Sequence, residues 1–331
     1  MTRRLFVQAI GAATAVKARA DSPKSGMGVA WTSFMTVAKP KDPLEFLIQC
    51  HELGAAGIQA PLHGDLRKLR SQADQFGMYL EAMVSLPSNG DTSAFEKSIQ
   101  DAKDAGALCV RAAALSGRRY ETFASLDAWR KFVSDSQRNI AAALPIVEKH
   151  KMPLALENHK DWTADEMAAL MKSHSSEYLG VCLDFGNNIA LLDDPMTAVE
   201  TLAPYTMATH VKDMGVEWFH DGFLLSEMVL GQGFLDLPGM VATVRKARPA
   251  ARLSLEMITR DPLQVPCLTD KYWTTFPDRS GVFLARTMQL VQKYKSAKPL
   301  PRMSGLTSEA QRVLEQENVR ASLAFAHEKL S

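Results

Sequence analysis

Leu154-Ala155-Leu156-Glu157-Asn158-His159, Val181-Cys182-Leu183-Asp184-Phe185-Gly186-Asn187, Ala208-Thr209-His210-Val211-Lys212-Asp213 and Ser254-Leu255-Glu256-Met257 are four apolar runs, each ending in a residue that strands avoid. Side chains alternate along a strand, so the residue two before Glu157, Asp184, His210 or Glu256 points the same way. At all four places it is small: Ala155, Cys182, Ala208 and Ser254. The residues between, Leu156, Leu183, Thr209 and Leu255, then face covering helices. Small side chains beneath polar ones are what the mouth of a barrel needs if the polar groups are to converge at its centre. Three carboxylates and an imidazole in a site of reduced dielectric repel one another unless a cation compensates them. One divalent ion would do so. Mainly oxygen donors with one imidazole favour Mn²⁺, Mg²⁺ or Co²⁺, and Zn²⁺ is also compatible.

Outward from these runs, short apolar stretches alternate with amphipathic ones, the pattern of parallel strands joined by crossover helices. Eight strand candidates are found: Met27 to Trp31, Gly57 to Ala60, Tyr79 to Ser85, Ala107 to Ala113, Pro153 to Asn158, Leu179 to Phe185, Met207 to Lys212 and Arg252 to Met257. Asp42-Pro43 and Asp194-Pro195 place a capping acid before a helix-opening proline, and Leu126 to His150 reads as one long helix. Eight such units fit a closed (β/α)8 barrel better than a doubly wound open sheet, which shares the same local grammar. Barrel text runs over residues 27–297. A C-terminal extension, 298–331, opens with Pro299 and Pro301 and reads as a helix from Ser308 to Lys329. Its apolar residues Leu314, Val319, Leu323 and Phe325 are sparse, which suits a helix lying on the barrel surface or on a second subunit of a homo-oligomer.

The chain has 331 residues, 46% hydrophobic and 23% charged, values that exclude a disordered chain and a polytopic membrane protein. With 38 basic and 37 acidic side chains, no charge excess recommends nucleic acid or an anionic membrane as partner. A small neutral substrate is the default. Cys50, Cys109, Cys182 and Cys267 share no Cys-x-x-Cys spacing and read as free thiols. At the N-terminus, Arg3-Arg4 after Thr2 and before Leu5-Phe6 resembles a twin-arginine export signal, and Ala18-Arg19-Ala20 offers a cleavage site before Asp21. Residues 1–20 are therefore expected to be a signal peptide. Cleavage would remove Arg3, Arg4, Lys17 and Arg19 and leave a mature chain of net charge −3 with no membrane anchor. The expected location is the periplasm, with the cytoplasm as the alternative. Export of a folded chain would allow the metal to be loaded first.

As a set, Leu156-Glu157-Asn158-His159, Leu183-Asp184-Phe185-Gly186-Asn187, His210-Val211-Lys212-Asp213, Leu230-Gly231-Gln232-Gly233 with Asp236, and Leu255-Glu256 resemble the xylose isomerase-like barrels that include sugar phosphate isomerases and epimerases. The resemblance covers about Met27 to Lys295. It implies a (β/α)8 TIM barrel and one metal ion held by Glu157, Asp184, His210 and Glu256. Many members isomerise or epimerise ketoses. Two positions differ from the ketose 3-epimerases among them: Asn187 stands where they carry His, and Val216-Glu217 where they carry Arg.

The residue chemistry agrees with that implication. A metal chelating a carbonyl and an adjacent hydroxyl stabilises the enediolate left when the neighbouring carbon loses its proton. Glu157 and Glu256 come from strands that are not neighbours, so they could flank opposite faces of a sugar as acid and base. His159 and Lys212 stand two residues past Glu157 and His210, on the same face, and are further catalytic candidates for a hydroxyl and an oxyanion. The expected function is a metal-dependent isomerase or epimerase of a keto-sugar. The alternatives are a lyase or dehydratase passing through the same enolate, acting on a keto-sugar, keto-inositol or dehydroshikimate-like substrate, and a non-catalytic sugar-binding barrel. Gly231-Gln232-Gly233 is too short for a dinucleotide fingerprint and reads as a turn, with Asp236 capping the next helix. Trp31, His63, Trp162, Trp218 and His220 fall where an aromatic wall could stack on a sugar, or where core packing could use them.

Overall fold

The computed structural model describes residues 26–296 and 298–330, so the expected signal peptide, 1–20, lies outside the described residues. Eight short parallel strands form the inner wall: β1 (Gly28–Ala30), β2 (Gly57–Ala60), β3 (Tyr79–Met83), β4 (Val110–Ala112), β5 (Leu154–Glu157), β6 (Leu179–Asp184), β7 (Thr206–His210) and, beyond a hairpin of β8 (Asp213–Phe219) and β9 (Gly222–Met228), β10 (Ser254–Leu255). Neighbours run β10-β1-β2-β3-β4-β5-β6-β7. The remaining seam is joined by a parallel bridge between Val211 and Leu255. Val211 N donates to Ser254 O at 2.8 Å and Glu256 N to Val211 O at 3.0 Å. The fold is a (β/α)8 TIM barrel with a C-terminal helical extension.

All eight strand candidates are present, and the last is the shortest strand. Its ladder stops after Leu255 because the Met257 amide turns aside to the Ser33 hydroxyl, at 3.1 Å. The helices begin where capping chemistry places them. Asp42 accepts from Glu45 N before the helix Pro43–Glu52, Asp194 from Thr197 N before Pro195–Leu202, and Ser125 from Ala128 N before Leu126–His150.

Side-chain alternation divides the core into two layers. Leu156, Leu183 and Leu255 join the large cluster between strands and helices, whereas Cys109, Ala155, Cys182 and Ala208 pack among themselves inside the barrel. That inner plug is the floor of the site. All four cysteines are free and buried.

Two features at the carboxyl rim were not expected from sequence. The first is a three-stranded antiparallel sheet, ordered β11-β9-β8, in which β11 is Leu263–Val265. It places Trp218 and His220 at the exposed end of the hairpin, far from any aromatic wall. The second is a set of polar contacts that the helix Ser308–Lys329 makes with the rim, besides the burial of Val319 and Leu323 that a helix lying on the barrel surface requires. Glu315, wholly buried, accepts from Thr36 N at 3.1 Å and Ala38 N at 2.7 Å, fastening the loop after β1. Ser322 accepts from Leu230 N, and Asn318 donates to Thr259 Oγ1. No helix among the described residues is long and apolar enough to cross a membrane.

Candidate metal centre

Glu157 and Asp184 are the last residues of β5 and β6, His210 ends β7, and Glu256 follows β10 by one residue. Each is buried. The structure brings one ligand atom from each of the four within 4.8 Å of all the others. Donors that each stand about 2.1 Å from one ion lie about 3–4 Å apart. His210 Nδ1 is 3.5 Å from Glu157 Oε1, 3.5 Å from Glu256 Oε1 and 3.8 Å from Asp184 Oδ2.

The orientation of His210 is set from the opposite side of its ring. Its Nε2 donates to Gln59 Oε1 at 2.6 Å, and Gln59 Nε2 donates to Glu81 Oε2 at 2.9 Å. Because the Gln59 amide nitrogen is committed to Glu81, its oxygen faces the imidazole, and the ring proton belongs on Nε2. Nδ1 is left with a lone pair and has no hydrogen-bond partner among the described residues. A buried unpartnered imidazole nitrogen facing three carboxylates fits a divalent cation, and the outer acceptor holding the distal nitrogen is how ligating histidines are fixed.

Asp184 is held just as firmly. Its Oδ1 accepts from Gly186 N at 2.9 Å and Asn187 N at 2.8 Å, leaving Oδ2 for the centre. Asn158 extends the ladder with its side chain, accepting from Asp184 N at 2.7 Å and donating to Asp184 O at 2.9 Å.

Protein cations already meet the three acids. Lys212 Nζ lies 2.8 Å from Asp184 Oδ2 and 2.5 Å from Glu256 Oε2, and Arg111 of β4 forms an ion pair with Glu157 Oε2. Burial works against charge on both Lys212 and Glu256. Asp184 and Glu256 outweigh it and hold the Lys212 ammonium above its ordinary value. Lys212 holds Glu256 well below the usual carboxylate range, aided by Thr32 Oγ1, which donates to Glu256 Oε1 at 2.7 Å. His159 is pushed well below its usual value by burial and then by Lys160 and Arg111, and its Nδ1 is unpartnered.

The sequence reading did not single out Gln59, Glu81, Arg111 or Lys160. The first three sit within strand candidates two to four, where polar residues in a barrel wall carried the same signal as the four in later strands. Lys160 Nζ donates to Asn187 Oδ1, whose Nδ2 donates to Glu157 Oε1 at 3.1 Å. Asn187 thus couples a lysine to one candidate ligand. Asp213, next to Lys212, instead binds the Gly-Gln-Gly turn, accepting from Gly231 N and Gly233 N at 2.9 Å and from Leu235 N at 3.1 Å. A Cβ at Gly233 would overlap both the Asp213 carboxylate and the Met214 carbonyl, which is why that position is glycine. Asp236 caps the following helix, Leu237–Ala247. Trp162 packs with Trp129 and Phe132, and His63 is exposed.

The model of the xylose isomerase-like TIM barrel family matches residues 47–272. Among curated proteins, the 3-oxo-isoapionate decarboxylase of Pectobacterium atrosepticum is 25% identical over 227 residues, covering 65% of this chain and 77% of that protein. Among solved structures, a D-psicose 3-epimerase determined in the presence of D-fructose has a TM-score of 0.59 at 15% identity, covering 92% of this chain and 99% of that one. A xylose isomerase-like barrel from Mycobacterium smegmatis in complex with magnesium has a TM-score of 0.55 at 16% identity, covering 80% and 98%. At these identities the structural likeness speaks for the fold.

Proposed function

Since this chain belongs to the xylose isomerase-like TIM barrel family, we propose that it is a divalent-metal-dependent isomerase or epimerase of a keto-sugar, working through an enediolate. The observation that carries this reading is the unpartnered Nδ1 of His210 among three buried carboxylates. Glu157, Asp184, His210 and Glu256 would hold the ion, which when bound supplies Lewis acidity for the carbonyl and an adjacent hydroxyl. Mn²⁺, Mg²⁺ and Co²⁺ suit this donor set, and Zn²⁺ is compatible.

The chain's own residues do the proton work. Glu157 and Glu256 come from strands that are not neighbours, so one takes the proton from the carbon beside the ketone while the electron pair moves onto the carbonyl oxygen. The other returns a proton, to the opposite face in epimerisation or to the adjacent carbon in isomerisation. His159 is a hydroxyl-binding candidate. Lys212, bound to Asp184 and Glu256, offsets charge gained as the carboxyls trade protons. The test is metal-loaded protein incubated with keto-sugars in deuterated water and followed by proton NMR. Carbon-bound deuterium, lost in both Glu157→Gln and Glu256→Gln, supports the reading, and its absence from every sugar overturns it.

A second reading, a lyase of the same enolate chemistry, has its own support. Arg111 and Lys212 each occupy a glutamate, and a carboxylate in an ion pair is a weaker base. Decarboxylation of a 3-keto acid needs no base at carbon: the bond to the carboxylate breaks, its electrons flow into the ketone, and a proton donor closes the new carbanion centre. The similarity to a 3-oxo-isoapionate decarboxylase points the same way. Release of carbon dioxide or water without inversion of any carbon identifies this class. Action in the periplasm belongs to the same proposal. Paired Arg3→Lys and Arg4→Lys substitutions should hold the chain in the cytoplasm on fractionation, and unchanged distribution would refute export by that route.

A further inference from the structure

Four cations other than His210 gather around the metal centre, and three of them have a carboxylate. Arg111 is paired with Glu157, Lys212 with Asp184 and Glu256, and Arg260 with Glu227 through two hydrogen bonds, at 2.5 and 3.2 Å. Lys160 is different. It is 4% exposed, its ammonium donates to the neutral amide of Asn187, and no carboxylate among the described residues forms an ion pair with it. Burial, then repulsion from Lys212 and Arg260, pulls its pKa down to about 7.

A buried ammonium that no carboxylate touches is completed by an anion from outside the chain. The position of Lys160 says which molecule would bring it. Through Asn187 it stands one side chain from Glu157, so an anion resting on Lys160 belongs to whatever occupies the mouth above the four candidate ligands. One ammonium without a carboxylate in contact suits a monoanion with flat geometry better than a phosphate dianion, which asks for several free donors. We propose that Lys160 seats a carboxylate of the substrate, so that the molecule processed is a keto-sugar acid and not a neutral ketose. This inference rests on the enolate-forming reading of the same site.

Pairs of molecules that differ only in that group test it: 5-keto-D-gluconate against L-sorbose, and 2-keto-D-gluconate against D-fructose. Calorimetric titration into the full chain, both Mn²⁺-loaded and metal-free, should show at least one acid binding ten-fold or more tighter than its neutral partner. The preference should survive metal removal, because its source is a side chain. Lys160→Met should abolish the preference while keeping the bound manganese content of the unaltered protein, and Lys160→Arg should retain it. Lys160→Gln replaces the methionine variant should that one fail to fold. Equal affinity within each pair, no binding of either acid, or a preference that persists without the lysine charge overturns the proposal. Deuterium exchange is scored separately. Neutral ketoses that exchange with no preference for acids leave the enediolate reading standing and remove this one. Acids that bind preferentially but never exchange do the reverse.

Discussion

Gln59→Leu separates a metal centre from a merely packed polar cluster. Gln59 is wholly buried and spans two groups, accepting from His210 Nε2 at 2.6 Å and donating to Glu81 at 2.9 Å. Leucine fills similar space but leaves the imidazole without an acceptor for its distal N–H. The ring then has no reason to keep its proton on Nε2. A proton moved to Nδ1 cancels the lone pair that faces Glu157, Asp184 and Glu256. Removing an outer partner of a metal-ligating histidine typically costs 10–100-fold in affinity, equivalent to about 1.4–2.7 kcal/mol. The orphaned imidazole N–H also costs about 1–3 kcal/mol in stability, whereas Glu81 keeps its hydrogen bond from Ser254. Calorimetric titration of Mn²⁺ into both proteins measures the first effect, and thermal melts without metal measure the second. A weakened melt accompanied by Mn²⁺ affinity within about threefold of the unaltered protein, well short of that range, would show that Gln59 supports the barrel wall and does not orient a ligand.

Three further outcomes follow from particular contacts. Glu315→Ala removes the carboxylate that accepts from Thr36 N and Ala38 N; at about 1.5–3 kcal/mol for a hydrogen bond to a charged group, amide exchange at those residues should accelerate roughly 100-fold, and unchanged protection would deny the clamp. Burial raises the Glu81 carboxyl from 4.5 to about 7 despite hydrogen bonds from Gln59 and Ser254. The folded chain therefore binds that proton more tightly than the unfolded chain, and stability present below pH 4.5 is lost as pH rises towards 7, by about 3 kcal/mol. Glu81→Gln should flatten that part of the pH–stability curve in urea titrations, and an unaltered slope would place the proton elsewhere. Finally, chelation should lower the melting temperature by only about 5 °C when the ion had been present at about 100 times its Kd, and outright unfolding would contradict the ion pairs seen around the acids.

Much of this was legible in the sequence because strand alternation is a strict code. The positions two residues before Glu157, Asp184 and His210 form the inner plug with Cys109, and Leu156, Leu183 and Leu255 lie in the outer layer, as a period of two requires. The hairpin of β8 and β9 went unread although its signal was present: Asp221-Gly222 sits between alternating runs, with Met214, Val216, Phe223 and Leu225 buried. The polar rim contacts of the final helix had no such periodic signal. Glu315 reads in sequence as an ordinary surface acid, and only the folded chain brings Thr36 and Ala38 of the loop after β1 against it. Arg111 shows the limit most plainly, since a polar residue in a short strand announces that something is buried but not which carboxylate will meet it.

That limit bears on why the acids can lie together at all. From sequence, mutual repulsion among Glu157, Asp184 and Glu256 calls for a cation, and a metal ion is the natural choice. The structure divides the task. Lys212 spans Asp184 and Glu256 while Arg111 takes Glu157, so much of the repulsion is answered before any ion arrives. What these side chains leave unanswered is His210 Nδ1, a buried lone pair that an ammonium could satisfy but that none approaches closely enough to do so. The ion's role is thereby narrowed from holding the acids together to occupying the position that His210 faces. Its added charge also has a consequence for the ligand. With Arg111, Lys212 and Arg260 each matched to acids and Lys160 unmatched, a divalent ion turns a nearly balanced mouth positive. A centre of that charge stabilises an enolate and favours a substrate that arrives carrying a negative charge of its own.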